Sequence, residues 1–218
     1  MSSIKNNIKV GISQRISVID SYSETRDSLD QKMVEWVLAA GFIPIPIPNT
    51  LIDLNLSDKL QPNLEEWLEK LNIEALLLSG GNDIGSAPQR DLTENYLLFW
   101  AAKNAIPVLG ICRGMQIMAT FFDGKLIKVK NHVNVRHEIQ PVQLGKYIVP
   151  RIVNSYHNYA LKECPDEFLV LAVSEDGFIE AIKHKELPWE AWMWHPERDS
   201  SFLKIHLENF KELISNGK

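Results

Sequence analysis

Apolar residues in the first half of the chain follow two alternating patterns. Short continuous apolar runs are typical of buried strands, and such runs occupy residues 8–12, 74–81 and 107–111. Longer segments repeat apolar residues at intervals of three and four, which predicts helices over 26–40, 62–71, 93–104 and 112–124. Strands and helices in this order imply right-handed crossovers. The pattern therefore predicts a largely parallel sheet sandwiched by helices.

The first helix and the segment after it carry the clearest local signals. The buried face predicted for the helix consists of Leu29, Met33, Trp36, Val37 and Ala40. A helix commonly ends at glycine, and Gly41 follows this face directly. Residues 42–48 carry a proline at every other position, so only one edge of the segment can donate hydrogen bonds. We expect an edge strand or a strand-like loop there.

After Gly124 the pattern changes to short alternating runs, which predict hairpins or strands of a mixed sheet. These runs are residues 126–130, 137–144, 147–155, 168–174, 178–184 and 189–195. A closing helix is predicted over 201–214. No internal repeat, low-complexity tract or long charge block interrupts the chain. We predict one α/β domain over residues 1–218.

Composition narrows the class of protein. Of the 218 residues, 45% are apolar and 23% are charged, as in a soluble protein with a sizeable core. The net charge of −5 offers no excess of cations for a phosphate backbone, so nucleic-acid binding is not expected. No apolar run approaches the roughly 20 residues of a membrane helix, and residues 1–7 are polar without a signal-peptide core. With two distant cysteines and no CxxC pair, we expect a reduced, cytoplasmic protein.

The first candidate for a catalytic site is the segment Gly110-Ile111-Cys112-Arg113-Gly114. The layout is that of a nucleophile elbow, in which glycines two positions before and after a strained residue remove side-chain clashes. The N–H groups at the start of the following helix favour a thiolate. Alone, the motif favours a buried, inert cysteine, because free cysteines are usually buried. The other cysteine, Cys164, precedes a proline in a polar loop and is not expected to have a role.

A thiol nucleophile needs a base, and one of the six histidines stands in a suitable setting. His195 ends a predicted strand, and Glu197 follows two residues later. In an extended segment residues i and i+2 face the same way, so Glu197 can accept the imidazole N–H and fix its tautomer. Pro196 stiffens this spacing. Together with the elbow, His195 and Glu197 predict a Cys-His-Glu triad.

Four separated blocks carry a family resemblance: LLLSGGND (76–83), PVLGICRGMQ (107–116), VNSYHNYAL (153–161) and WHPE (194–197). In order and spacing they resemble the signature blocks of the class I glutamine amidotransferases, whose fold is flavodoxin-like. The form Gly-Ile-Cys-Arg-Gly-Met-Gln is most similar to the gamma-glutamyl hydrolase branch, which includes gamma-glutamyl-GABA hydrolases. The resemblance implies a thioester mechanism without any cofactor.

The resemblance also implies a role for each matching residue. Cys112 is the nucleophile, His195 the acid and base, and Glu197 the residue that orients the imidazole. The oxyanion is bound by the backbone N–H groups of Gly81 and Arg113. The substrate's glutamyl portion is bound by Gln116 and by backbone groups of Asn158 and Tyr159.

The remaining histidines are not expected to act in catalysis or to bind metal. His157 is predicted to be structural, and His132 and His137 fall in a segment where the resembling branch also has histidine. No pair has the i, i+4 helical spacing or the carboxylate neighbours of a metal site. The site prediction therefore includes no metal.

Three functions compete. The first is a stand-alone hydrolase that releases glutamate and an amine from a small gamma-glutamyl substrate. The second is a glutaminase subunit that passes ammonia to a partner synthase, and the third is a non-catalytic binding relative. The intact triad and the Cys-Arg-Gly form favour the first. The sequence leaves open whether the chain forms a homodimer.

The start of the chain suggests a more specific substrate. Residues 11–31 resemble amidotransferase-like proteins encoded with bacterial surface-polysaccharide genes. Such a context predicts a gamma-glutamyl nucleotide phosphoramidate, for example gamma-glutamyl-CDP-amidate. Arg15, Arg26 and Arg90 lie in or beside loops 14–26 and 82–92, where arginines can attract a phosphorylated leaving group. For any single one of them, a solvated surface arginine is the more common case.

Overall fold

The computed structural model describes residues 8–142 and 148–216. Its helices are α1 (Gln31–Ala39), α2 (Pro62–Lys70), α3 (Pro88–Asn104), α4 (Arg113–Phe121) and α5 (Lys204–Asn216). The strands of the first half are β1 (Lys9–Ser13), β2 (Arg15–Ile19), β3 (Glu24–Ser28), β4 (Ile43–Ile47), β5 (Ala75–Leu78) and β6 (Val108–Ile111). Those of the second half are β7 (Leu126–Lys128), β8 (Val133–Pro141), β9 (Ile152–Tyr156), β10 (Tyr159–Leu161), β11 (Phe168–Ser174), β12 (Ile179–His184) and β13 (Trp189–Trp192).

One large sheet runs through the described residues in the order β4-β1-β5-β6-β13-β12-β11-β8-β9. The strands from β4 to β13 are parallel, and those from β13 to β9 pair antiparallel. The predicted α/β fold with a mostly parallel core is confirmed, and the alternating runs of the second half form its mixed extension. β4 lies at the edge, as its prolines predict.

Two apolar layers hold the sheet between helices. Alternate residues of a strand point to opposite faces, and β5 shows this directly. Leu76 and Leu78 belong to the cluster that includes α2, α3 and α4, whereas Leu77 belongs to the cluster with α1 and α5. In the second cluster the ring of Trp36 stacks on Phe210 at a centroid distance of 4.9 Å. The helices on both faces leave the carboxyl ends of β5 and β6 as the place for a site.

The prediction of a helix over 26–40 is wrong in its first turns, and the preceding segment is not a loop. β2 and β3 form a hairpin, and α1 begins at Gln31, where the Asp30 side chain accepts a hydrogen bond from the Lys32 N–H. The hairpin depends on a distant contact: the Asn82 side chain binds both the N–H and the C=O of Ile16 at 2.9 and 3.1 Å. The spacing of apolar residues in the local sequence gives no indication of that contact.

Other boundaries differ in smaller ways. α3 begins at Pro88 rather than at residue 93, because its first turns bury charged groups and so lack apolar periodicity. β10, which pairs with β7, was not predicted. The predicted strands 137–144 and 147–155 extend into residues 143–147, which lie outside the described residues, as do residues 1–7. Among the described residues, no helix is long and apolar enough to cross a membrane.

Candidate active site

Cys112 occupies a strained turn between β6 and α4. Its φ and ψ are 52° and −103°, a conformation that few residues with a side chain adopt. The turn is possible because its neighbours are glycines: a Cβ on Gly110 would lie 2.7 Å from the backbone of Gly114, and one on Gly114 would collide with the carbonyl oxygen of Leu78. The Cys112 N–H donates to the Trp192 carbonyl at 2.7 Å. The structure thus has the elbow geometry that the glycine spacing predicts.

His195 and Glu197 follow β13, the strand beside β6. His195 Nδ1 lies 2.7 Å from Glu197 Oε1, and both side chains are buried. The Asn154 amide holds the histidine backbone on both sides, because its Oδ1 accepts from the His195 N–H at 2.9 Å and its Nδ2 donates to the His195 carbonyl at 2.7 Å. Asn154 was not predicted as a site residue, although it lies within the VNS block.

The charge state of His195 follows from its neighbours. Burial alone lowers the pKa of His195, but the negative charges of Cys112 and Glu197 and hydrogen bonds to both raise it to about 9. With a pKa of about 9, His195 is an imidazolium near neutral pH, and its Nδ1 proton faces the Glu197 carboxylate. Gly80 allows the close packing here, because a Cβ at that position would lie 2.5 Å from the His195 ring.

The loop after β5 brings Gly81 beside the cysteine. Gly81 has a φ of 86°, a value that favours glycine. Arg90 holds this loop from beneath through the carbonyl oxygens of Ser79 and Gly81, both at 2.6 Å. Arg15 binds the Gly80 carbonyl at 3.1 Å. The loop carbonyls are thus fixed by guanidinium groups, which in turn fixes the direction of the loop's N–H groups.

A buried ion cluster, Arg90-Glu94-Arg113-Asp91, lies under this loop and the elbow. Glu94 pairs with Arg90 at 2.9 Å and also with Arg113, and Arg113 pairs with Asp91. Ser13 at the end of β1 donates to Glu94 at 2.7 Å. Burial lowers the pKa of Arg90 to about 10 and that of Arg113 to about 9, so both remain charged at neutral pH. One carboxylate thereby connects the Gly81 loop to the residue after Cys112.

The structure shows where the predicted substrate-binding residues Gln116, Asn158 and Tyr159 lie. Gln116 lies at the cleft, but its Nε2 donates to the Tyr159 carbonyl at 3.0 Å. His157 Nδ1 contacts the same carbonyl at 3.0 Å. Asn158 lines the cleft, whereas Tyr159 does not. The Tyr159 carbonyl is therefore occupied by protein groups, among them the side-chain amide of Gln116.

The cleft at Cys112 is narrow, with a volume of about 100 Å³, and it opens to solvent. The residues of the predicted site that line it are Gly81, Cys112, Arg113, Gln116, Asn158 and His195. Those that sequence reasoning did not assign to the site are Asn82, Asp83, Tyr156, His157 and Arg198. The signal for Arg198 was its position directly after Glu197.

Of the three arginines predicted around the opening, only Arg15 lines the cleft. Arg90 is fully buried in the ion cluster, and Arg26 lies on the exposed hairpin paired with Glu24. Arg26 is thus the solvated surface arginine that was the more common expectation for each position, whereas the burial of Arg90 was not predicted, because its position in the chain did not reveal its partners. Arg198 takes their place, with its guanidinium 4.6 Å from the centre of the Tyr156 ring.

The second cysteine lies in a different environment. Cys164 borders a separate surface cleft near Gly124 and Pro165. Burial raises the pKa of the Cys164 thiol to about 11, which leaves little thiolate at neutral pH. Its predicted lack of a role agrees with this setting.

Comparison with solved structures shows the class of fold. The chain is similar to a putative GMP synthase protein from Thermoplasma acidophilum, with a TM-score of 0.71 and 19% identity over 97% of this chain and 94% of that one. A glutamine amidotransferase from Thermotoga maritima aligns with a TM-score of 0.63 and 16% identity, covering 97% of this chain and 85% of that one. The fold is that of the class I glutamine amidotransferases.

The family follows from the sequence comparisons. The Peptidase C26 model matches residues 9–197, and the chain belongs to this glutamine amidotransferase-like family. It is 32% identical to the gamma-glutamyl-CDP-amidate hydrolase of Campylobacter jejuni, covering 91% of this chain and 94% of that protein. It is 26% identical to the gamma-glutamyl-gamma-aminobutyrate hydrolase of Escherichia coli O157:H7, covering 92% and 90%. The resemblance inferred from the four blocks is confirmed.

The ion cluster yields a stability prediction. Replacing Glu94 by Gln leaves two buried guanidinium groups without their shared countercharge, and breaking a buried pair costs about 3–5 kcal/mol. We expect Glu94→Gln to lower the free energy of unfolding by an amount of this order in urea titrations. Glu66→Gln removes an exposed partner of Lys70 and should leave the urea midpoint unchanged. Equal midpoints for both variants would contradict the role given to Glu94.

Proposed function

We propose that this chain is a cysteine-dependent hydrolase that cleaves a gamma-glutamyl amide to glutamate and an amine or amidate. The observation that carries the proposal is the convergence of three groups at one cleft. Cys112 stands on the strained elbow, the His195 ring is charged through Cys112 and Glu197, and the carboxylate of Glu197 lies 2.7 Å from Nδ1. The family membership supports the same chemistry.

The proposed first half-reaction forms a thioester. The Cys112 thiolate attacks the gamma-carbonyl carbon, and the carbonyl oxygen becomes an oxyanion bound by the N–H groups of Gly81 and Arg113. The carbon–nitrogen bond then breaks while the His195 imidazolium gives its proton to the departing nitrogen. Glu197 stabilises the imidazolium and keeps Nδ1 protonated.

The second half-reaction consumes water. Neutral His195 accepts a proton from a water molecule, whose oxygen attacks the thioester carbon. Collapse of the second oxyanion expels the Cys112 thiolate and releases glutamate. Gln116, held by the Tyr159 carbonyl, and the backbone of Asn158 are proposed to bind the glutamyl portion.

The leaving group is proposed to carry phosphate. Arg15 and Arg198 both line the cleft, and burial and the nearby charge of Arg198 lower the pKa of Arg15. Two close guanidinium groups favour an anion between them, although Asp83 on the same wall opposes one. The Campylobacter jejuni relative is named for gamma-glutamyl-CDP-amidate, which has such a leaving group. A place in cytoplasmic synthesis of surface-polysaccharide phosphoramidates follows from this substrate.

A glutaminase subunit is the second candidate. The observation in its favour is 30% identity to the glutamine-hydrolyzing GMP synthase subunit of Pyrococcus abyssi, over 77% of this chain and 87% of that protein. The hydrolase relatives are matched over a larger share of this chain, which favours the first candidate. A non-catalytic relative is disfavoured by the intact Cys112, His195 and Glu197.

The direct test of the proposal is glutamate release by the purified chain from a panel of gamma-glutamyl amides, with glutamine beside them. We expect at least one substituted amide to exceed glutamine in kcat/KM, and Cys112→Ala to abolish turnover without unfolding. Cys164→Ala is the matched control and should retain activity, and an alkylating gamma-glutamyl analogue should label position 112 alone.

Undiminished turnover in Cys112→Ala would overturn the mechanism. A preference for glutamine that appears only with an added synthase would select the second candidate.

Glu197→Gln should change the pH profile in a defined direction. Because the carboxylate helps to raise the pKa of His195 to about 9, a neutral amide lowers that pKa, and the imidazolium is lost at lower pH. We expect the basic limb of kcat/KM to move to lower pH and kcat to fall by up to about 10⁴-fold, with KM little changed. Profiles from about pH 6 to pH 10 measure this. An unshifted basic limb would remove Glu197 from the triad.

Arg198→Ala should separate charged from neutral leaving groups. Loss of a charge-assisted contact of about 1.5–3 kcal/mol predicts a decrease of roughly 10- to 100-fold in kcat/KM for a phosphorylated amidate. The ratio to an uncharged gamma-glutamyl anilide isolates this effect from any disturbance of the neighbouring Glu197. Arg26→Ala, on the exposed hairpin, should leave the ratio unchanged. An unchanged ratio in Arg198→Ala as well would argue against a phosphorylated leaving group.

A further inference from the structure

Beside the active-site cleft, three histidines and a carboxylate meet in the interior. His132 precedes β8, His137 lies on β8, His157 joins β9 to β10, and Glu180 lies on β12. We call these residues the His-Glu cluster. The side chains of His157 and Glu180 have no exposed area, and those of His132 and His137 are 4% and 15% exposed. Their ring centroids are close, with His132 at 4.7 Å from His157 and 5.2 Å from His137.

The inner polar atoms of the His-Glu cluster have no hydrogen-bond partner among the described residues. These atoms are Nδ1 of His132, Nε2 of His137, Nε2 of His157 and both carboxylate oxygens of Glu180. His157 Nε2 lies 3.6 Å from Glu180 Oε1, and His137 Nε2 lies 3.7 Å from Glu180 Oε2. Both separations exceed hydrogen-bond length. A buried, ionised carboxylate without hydrogen bonds lowers the free energy of unfolding unless a nearby cation compensates its charge.

In each ring, the nitrogen that contacts a group outside the His-Glu cluster shows whether the nitrogen facing the cluster carries a lone pair. His157 Nδ1 lies 3.0 Å from the Tyr159 carbonyl, which can only accept, so Nδ1 carries the proton and Nε2 of the neutral ring has a lone pair. His132 Nε2 lies 2.9 Å from Asp176 Oδ2, and the other Asp176 oxygen accepts from Ser174 at 2.6 Å. When His132 donates to Asp176 from Nε2 and carries no second proton, its Nδ1 presents a lone pair.

This arrangement differs from a simple ion pair. A protonated His157 would be expected to hydrogen-bond Glu180 at about 2.7–2.9 Å, well short of the observed separation. Two ligands of one tetrahedral Zn²⁺, with bonds of about 2.1 Å, lie about 3.4 Å apart, close to the 3.6 Å between His157 Nε2 and Glu180 Oε1. Histidines that ligate metals also typically donate their outer N–H to a carboxylate or carbonyl, as Asp176 and Tyr159 allow here.

We propose that the His-Glu cluster binds a divalent transition-metal ion of the Zn²⁺ type through His132 Nδ1, His157 Nε2, His137 Nε2 and a Glu180 oxygen. Ligand atoms of His132, His157 and Glu180 lie within 4.8 Å of one another, so the most distant of them approach by up to about 1.4 Å on binding. Imidazole and carboxylate ligands suit such an ion. These three residues form the core of the site, and His137 Nε2, 3.7 Å from Glu180 Oε2, is the fourth donor once it moves toward the ion.

The site has a direct connection to the active-site cleft. His157 lines the cleft, and its Nδ1 shares the Tyr159 carbonyl with Gln116. An ion on the other ring nitrogen thus orders the segment that holds Gln116. The expectation that these histidines have no carboxylate neighbours is wrong: Glu180 and Asp176 are brought to them by strands distant in sequence. Helical spacing did not reveal the site because none of its ligands lies on a helix.

The test uses the full chain with Cys112→Ala as the parent, so that the active-site thiol cannot bind metal, and Cys112→Ala/Cys164→Ala repeats the measurement without any thiol. After treatment with a chelator, we expect the parent to take up one Zn²⁺ per chain, measured by elemental analysis and calorimetry. Its melting temperature should rise with Zn²⁺, and Co²⁺ should produce the visible absorption of a four-coordinate site. Asp176→Asn should weaken the affinity about 10- to 100-fold.

Glu180→Gln and His157→Asn in this parent identify the ligands. Both should weaken Zn²⁺ binding by more than 100-fold and abolish the rise in melting temperature. The metal-free Glu180→Gln chain should melt no lower than the metal-free parent, because the amide removes an uncompensated buried charge. Glu138→Gln, an exposed carboxylate change on β8, is the matched control and should bind Zn²⁺ like the parent. A parent that binds no Zn²⁺ overturns the proposal, and so does a parent whose binding survives both ligand substitutions.

Discussion

A single buried carboxylate connects the parts of the active site that come from different strands. Glu94, on α3, pairs with Arg90 and Arg113 and accepts from Ser13 at the end of β1. Arg90 holds the carbonyls of the Gly81 loop, and Arg113 follows Cys112 directly. Removing any one partner would leave a charge in a medium where it cannot be solvated. Both proposed oxyanion donors thus depend on one ion cluster.

The strain at Cys112 depends on the same region. The positive φ of the elbow persists because Gly114 packs against the Leu78 carbonyl and the Cys112 N–H bonds the strand that leads to His195. Parallel pairing of β5, β6 and β13 therefore does more than build a core. It places the Gly81 loop, Cys112 and His195 together at the carboxyl ends of these strands, and the order of the strands sets the order of the three groups.

Two buried polar clusters flank the site and differ in how their charges are balanced. In the Arg90-Glu94-Arg113-Asp91 cluster, the two guanidinium groups face two carboxylates. In the His-Glu cluster, lone pairs and a carboxylate converge without a cation from the described residues. The charges of the first are balanced within the protein, whereas the second has the donor set proposed for a metal site. Both contact loops that line the cleft, one on the proposed oxyanion side and one on the proposed glutamyl side.

What the sequence alone determined was local in nature. The glycines around Cys112 and the i, i+2 spacing of His195 and Glu197 encode geometry within a few residues, and the apolar periodicities encode the order of strands and helices. The tertiary structure decided everything that depends on partners distant in the chain. It buried Arg90, placed Arg198 in the cleft and joined the 15–28 hairpin to Asn82. It also brought Glu180 to the histidines, because sheet pairing sets neighbours that no spacing along the chain records.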